Sequence, residues 1–301
     1  MGLRAACTNC DHALPAGARF CSQCGQKTQY APRTLREIAQ STFGRDFTPD
    51  GRLWLTLRAL VVPGKLTEDW IQGRQQRYLG PMRLFLLALF VQVLAMQFAV
   101  HSAPRVYDDA DSLRGPTFVI EVGPGLGEPY DLLNHKYANV MITLHGGWLR
   151  SALHPLASRA KASLEQMSEA QFLRSASVRM ISMQSHAQVA MLPLLILSLG
   201  LAFAGRGHTI SGHTVFALHV AAFALLLDAF VVLPARWHEG PVREYGTWLL
   251  AGGAALWFLL ALRRAYSSRP LATVLRGALV VAPLAFAWPY VDVLAVLVSL
   301  A

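Results

Sequence analysis

The chain has 301 residues, of which 53% are hydrophobic and 15% charged, with a net charge of +9. Its mean hydropathy is +0.35 and its pI about 9.8. Soluble domains carry about 25% charged residues, so the composition excludes a disordered, collagenous or disulfide-scaffold chain and argues against an ordinary soluble enzyme.

All four cysteines come first, as Cys7-Thr-Asn-Cys10 and Cys21-Ser-Gln-Cys24-Gly25. A Cys-x-x-Cys turn aims two thiolates at one point, and two such turns supply the tetrahedral shell that suits zinc at about 2.3 Å per sulfur. Gly25 fits a turn that needs positive φ. The alternatives are two disulfides, which need an oxidising compartment, or a redox dithiol, which needs only one pair beside a strand–helix unit. With cysteine at all four positions no ligand place remains for a substrate, so the site is expected to be structural. Residues 1–30 are therefore read as a zinc ribbon whose metal supplies its folding energy. Arg4, Arg19 and Lys27 stand there against Asp11, a thin basic footprint without interleaved aromatics, so nucleic acid is not the expected partner. No cationic leader with an apolar core opens the chain, so the first apolar run is expected to remain as an anchor.

Residues 31–81 read as cytoplasmic juxtamembrane helices. Thr34 and Glu37 form a capping box. Arg52 to Val62 places Leu53, Leu57 and Leu60 on one stripe, flanked by Trp54 and Val61, with Arg52 and Arg58 in reach of phosphates: a helix lying in the membrane interface, or one packed on its own domain. Pro63-Gly64 ends it. Arg74, Arg77 and Arg83, with Trp70 and Tyr78, are the expected basic and aromatic anchors at the membrane surface.

Five apolar runs follow, each near the roughly 20 residues that a helix needs to cross a bilayer: Met82 to Val100, Ala187 to Ala204, His213 to Ala235, Gly246 to Leu262, and Ala272 to Leu300. The fold class read from the sequence is an all-α integral membrane protein with about five transmembrane helices and a small N-terminal zinc ribbon. Its parts are a first helix at 82–100, an external loop and helix at 101–185, and a four-helix membrane region at 186–301. With the N-terminus inside, the inner segments carry 17 Lys and Arg against 6 Asp and Glu, and the outer segments 10 of each. This is the positive-inside bias of an inner-membrane protein with a cytoplasmic N-terminus.

Within 101–185, residues 101–132 are rich in Pro and Gly and read as loop. Residues 133–155 read as partly helical, and Ser168 with Gln171 as a capping box. His135, His145 and His154 lack ligand spacing and read as surface or core residues. No nucleophile motif or carboxylate–histidine cluster is visible.

An ionisable residue inside a span is a functional hypothesis by default. Asp228 and Asp292 lie at similar depth in two outward-running helices and could share one polar site, with His186 at the mouth of the second span as a candidate partner. His213 lies fifteen residues from Asp228, roughly 22 Å along a helix, and His219 falls on the opposite face, so neither is read as a relay. Pro193, Pro283 and Pro289 are expected to kink their helices.

The chain resembles a bacterial family of multi-pass membrane proteins known only as a domain of unknown function, with an N-terminal Cys-x-x-Cys ribbon. The resemblance rests on Cys7, Cys10, Cys21 and Cys24 with Gly25-Gln26, on Pro63-Gly64 followed by Gly73-Arg74, Arg77-Tyr78 and Pro81, and on Leu192-Pro193-Leu194. It rests further on the run from His213 to Phe223 and on Leu262-Arg263-Arg264-Ala265-Tyr266. It implies the same architecture and an inner-membrane location, and no reaction. The sequence thus points to a non-enzymatic scaffold or regulator whose ribbon contacts a protein partner at the lipid bilayer. The alternative is a transporter of small solutes or ions using Asp228 and Asp292.

Overall fold

The computed structural model describes residues 6–28, 34, 36, 51–102, 118–122, 130–134, 140–144, 147–166, 177–232 and 241–301. The expected capping boxes at Thr34–Glu37 and Ser168–Gln171, and His135 and His145, lie outside the described residues in whole or in part. Two compact units emerge: Met1–Gln92 with Leu195–Val281, and Val93–Leu194 with Ala282–Ala301.

The helices, in chain order, are α1 (Arg52–Val61), α2 (Lys65–Ile71), α3 (Pro81–Ser102), α4 (Gly147–Glu165), α5 (Ser177–Ala202), α6 (Ile210–Leu227), α7 (Pro241–Tyr266) and α8 (Pro270–Leu300). A π-helical turn, Asp228–Val232, continues α6. Among the described residues, four helices are long and apolar enough to cross a membrane: Pro81–Phe98, Ile210–Val232, Tyr245–Tyr266 and Pro270–Leu300. The other expected span lies in α5, whose apolar part, His186–Ala202, is shorter. Large apolar side chains stand outward on α7 and α8, among them Trp248 at 73% exposure, Leu249 at 77% and Phe286 at 68%. Water would penalise so continuous an apolar surface; hydrocarbon does not. Pro193 lies inside α5, and Pro283 and Pro289 inside α8; both helices continue through them.

In the first unit, the Pro63-Gly64 signature has a steric cause. Val62 takes an extended conformation, as a residue before proline should. Gly64 then turns left-handed at φ 70° so closely against α7 that a Cβ would lie 2.7 Å from the Ala261 carbonyl oxygen. This turn sends α2 between α6 and α7. Leu66 and Trp70 are buried, and Trp70 shares a small core with Val215. The Thr67 hydroxyl meets His219 Nδ1 at 2.9 Å. Arg264 pairs with Glu68 at 2.5 Å, and the Trp257 indole donates to the Val61 carbonyl at 2.9 Å. His213 bonds the Tyr266 hydroxyl at 2.7 Å, and Tyr266 stacks on Phe203 with centroids 3.9 Å apart. Both histidines of α6 thus serve packing and not Asp228.

The structure supports one of the two readings of α1 and changes the expectation for Trp70 and Tyr78. The buried face of α1 carries Thr56, Ala59 and Leu60, while Trp54 and Val61 stand exposed. Within the leucine stripe Leu60 is buried and Leu53 and Leu57 are half-buried, as in a helix packed on its own domain. Trp70 and Tyr78, expected as anchors at the membrane surface, are buried within the protein; the close approach of α2 to α6 encloses Trp70, and the Asp69 carboxylate claims Tyr78.

The second unit holds a feature that the sequence pattern did not predict. Residues read as loop or part-helix form strands β1 (Phe118–Val122), β2 (Tyr130–Asn134) and β3 (Val140–Leu144). The order is β1-β3-β2, with β3 parallel to β1 and antiparallel to β2. Phe-Val-Ile-Glu-Val and Val-Met-Ile-Thr-Leu are β-branched runs whose strand preference the surrounding Pro and Gly concealed. Helix α4 follows the sheet, with His154 exposed on it.

Candidate functional site

The cysteine head is built from two copies of one turn, offset by fourteen positions. The Cys7 amide donates to the His12 carbonyl and the Asp11 amide to the Cys7 carbonyl, both at 2.9 Å. In the second copy, the Cys21 amide donates to Gln26 and the Gly25 amide to Cys21, both at 2.8 Å. Isolated bridges close each copy, Ala6 with Ala13 and Phe20 with Lys27. The left-handed position is Asp11 in the first turn, at φ 58°, and Gly25 in the second, at φ 70°. Gly25 was legible from its residue type. Asp11 occupies the same place because a short polar side chain tolerates that conformation.

All four Sγ atoms lie within 4.8 Å of one another. Cys7–Cys24 and Cys10–Cys21 are each 3.6 Å apart, and no disulfide joins them. A tetrahedron with bonds of about 2.3 Å has edges of about 3.8 Å, so the thiols fit a metal ion far better than an S–S bond. The protonation pattern agrees. Burial pushes the Cys7 thiol up. Against burial, the backbone amides of Cys24 and Gln23 and the thiols of Cys10 and Cys24 bring Cys21 down to about 7. A backbone hydrogen bond with His12 favours the Cys10 thiolate, yet burial and the neighbouring thiols push Cys10 up to about 12. A bound cation would favour the thiolate form of all four cysteines.

The head is fastened to the loop that leads into α3. Gln26 is buried. Its side-chain amide donates to the Gly73 carbonyl, and its Oε1 accepts from the amides of Gln75 at 3.4 Å and Gln76 at 3.2 Å. Asn9, between Cys7 and Cys10, accepts from the Arg77 amide at 3.1 Å. The Thr8 hydroxyl donates to the Gly73 carbonyl at 3.4 Å. From the other side, the Leu79 amide donates to Thr56 of α1 at 2.9 Å.

Beneath this loop lies Asp69, its side chain 3% exposed. Tyr78 donates to it at 2.7 Å and Arg74 at 3.2 Å, and Lys65 lies 3.3 Å away. Burial alone would push its carboxyl up; the Tyr78 hydroxyl, Lys65 and Arg74 together hold it below the ordinary carboxylate range. The same contact, with burial, pushes Tyr78 up to about 12. Arg74 is therefore tied to Asp69, Arg77 offers its backbone to Asn9 while its side chain is exposed, and Arg83 is half-buried in the first turn of α3.

Asp228 begins the π turn at the end of α6, where Gln92 of α3 donates to its Oδ2 at 3.0 Å. Gln92 is fully buried. π turns recur at functional sites. Asp292 belongs to the second unit and accepts a hydrogen bond from Trp288, one turn earlier on α8. His186 is exposed on the second-unit part of α5.

Reasoning from sequence singled out the cysteines and both aspartates, noted Gln26 only beside Gly25 in the family resemblance, and passed over Asn9, Asp69 and Gln92. Gln26 sits two places after the last cysteine, and Gln92 is a strongly polar side chain midway along an apolar run. Those positions were the available signals.

Residues 50–93 match the model of a family described as Protein of unknown function (DUF3667). The matched stretch holds α1, α2, the Asp69 cluster, the loop that receives the head, and α3 as far as Gln92. No curated protein and no solved structure matches the chain.

Proposed function

We propose that this is a bacterial inner-membrane protein with a cytoplasmic N-terminus, acting as a non-enzymatic scaffold or regulator. In this reading a structural zinc ion fills the Cys7, Cys10, Cys21 and Cys24 shell, and the ribbon contacts a protein partner. The observation that carries it is the fully cysteine-filled shell on a head hydrogen-bonded to the loop leading into α3. Such a site leaves no open coordination position for catalysis, and its attachment presents the ribbon at a defined place beside the bilayer. Arg74, Arg77 and Arg83 supply the positive rim at the lipid surface.

The test is metal analysis with in-membrane crosslinking. The full-length protein is expected to carry one zinc per chain, and Cys21→Ser to lose it. Crosslinked partners that disappear with Cys21→Ser support the scaffold. Stoichiometric disulfides without metal overturn the site and the assigned orientation together.

The second reading is a small-solute or ion transporter, favoured by Asp228 in a π turn with the buried Gln92 as its partner; Asp292 and His186 are its further candidate polar groups. Flux in reconstituted vesicles that disappears with Asp228→Asn would favour it over the scaffold.

A further inference from the structure

The ribbon and the loop at residues 73–77 form an interface within the chain, and every ribbon side chain in it is set by the cysteine turns. Asn9 lies between two ligands. Thr8 follows Cys7. Gln26 follows the left-handed Gly25, and its own carbonyl closes the second turn on the Cys21 amide at 2.8 Å. The receiving groups are all backbone: the Gly73 carbonyl and the amides of Gln75, Gln76 and Arg77. Backbone groups of a loop have no helical or strand partner, so a side chain must satisfy them where water is excluded. Gly73, at φ 89°, is the hinge that exposes its carbonyl to two donors at once.

Three links connect this interface to the spans. The loop's Arg74 and Tyr78 hold Asp69 of α2. Helix α2 is bonded to α6 through Thr67–His219 and to α7 through Glu68–Arg264. The loop leads through Leu79, bonded to Thr56, directly into α3, which carries Gln92.

We propose that the 73–77 loop is the binding surface for the metal-loaded ribbon, and that metal occupancy of the four cysteines sets whether the ribbon is latched onto the loop at the start of α3. This rests on the reading of the cysteines as a metal site and adds what the metal controls. A ribbon of this size has no core of its own. Without the ion the two turns lose the constraint that aims Asn9 and Gln26, and the amides of residues 75–77 lose their acceptors. The latch then opens as a unit, because both acceptors depend on the same ion.

The experiment is amide hydrogen exchange on the full-length protein in detergent micelles, read on peptides covering residues 73–79, with zinc content measured on the same samples. Zinc-loaded protein is expected to protect the amides of Gln75, Gln76 and Arg77. Chelation is expected to raise their exchange at least tenfold, and added zinc to restore protection. Asn9→Ala with Gln26→Ala keeps all four ligands, so it is expected to retain zinc and yet exchange fast at 75–77, while α6 and α7 stay protected. Trypsin cleavage after Arg77 should follow the same order. Loss of zinc with unchanged exchange at 75–77 overturns the latch, as does a zinc-loaded double variant that stays protected. Absence of any bound metal in the native protein overturns the metal reading on which the latch rests.

Discussion

Two aspartates of the first unit, Asp69 buried and Asp228 half-buried, show how differently one residue type can be used. Asp69, at the loop before α3, is surrounded by Lys65, Arg74 and Tyr78. Asp228, at the end of α6, meets the single side-chain amide of Gln92. Two cations and a hydroxyl fix the charge of Asp69 and commit its acceptor oxygens to holding one loop in shape. Among the described residues, Asp228 has one amide as its side-chain partner, in a chain segment where polar groups are costly. The first arrangement is architecture. The second joins α3 to the π turn after α6 through one side-chain contact.

The widest test of the contrast lies next to the Asp69 cluster. Gly64→Ala places a Cβ against the Ala261 carbonyl and forces a side chain into a left-handed position, which alone costs about 1–2 kcal/mol; overpacking adds about 1–3 kcal/mol. Thermal melts in detergent should show the largest drop here, because α2 can no longer seat against α7. If the variant melts like the parent, the interfacial region is not held by this close approach.

Asp69→Ala takes one charged acceptor away from three donors and is expected to cost about 2–3 kcal/mol, because the exposed Lys65 and Arg74 regain water while Tyr78 stays buried. Its pH dependence sharpens the point. The folded carboxyl lies below its ordinary value, so its contribution is complete above the unfolded value of about 3.9. It fades as the pH falls through the lower folded value. Melts of the parent should weaken below about pH 4 more steeply than those of Asp69→Asn. Parallel curves would remove the charge from the account of this cluster.

A smaller effect is expected from Arg264→Gln, since the pair with Glu68 is partly exposed, with side chains 38% and 32% accessible; about 0–1 kcal/mol is the range for such pairs. Asp228→Asn should be smallest of all, under about 1 kcal/mol in melts, because an amide can still accept from Gln92. A loss as large as that of Asp69→Ala would make Asp228 structural too and end the contrast.

Much of this was readable in advance, for identifiable reasons. The cysteine spacing dictates a four-thiol cluster because a Cys-x-x-Cys turn has few ways to place its sulfurs. The apolar runs dictate membrane-length helices because hydropathy and length are local properties. The sheet of residues 118–144 was hidden, since short strands among prolines and glycines show no long period. Trp70 and Tyr78 looked like interfacial anchors because amphipathic residues near a span usually are; the placement of α2 between α6 and α7 buried Trp70, and the bond to Asp69 drew Tyr78 inward.

By itself, then, the sequence determined the inventory: a four-cysteine head, a Pro-Gly turn before the first span, and apolar helices carrying isolated acids. Tertiary structure alone decided the partnerships, joining Asn9 and Gln26 to the 73–77 loop, Asp69 to Tyr78, Thr67 to His219 and Gln92 to Asp228. Hydropathy and turn geometry act between near neighbours along the chain, whereas a hydrogen bond between residues 92 and 228 exists only once packing has brought two helices together.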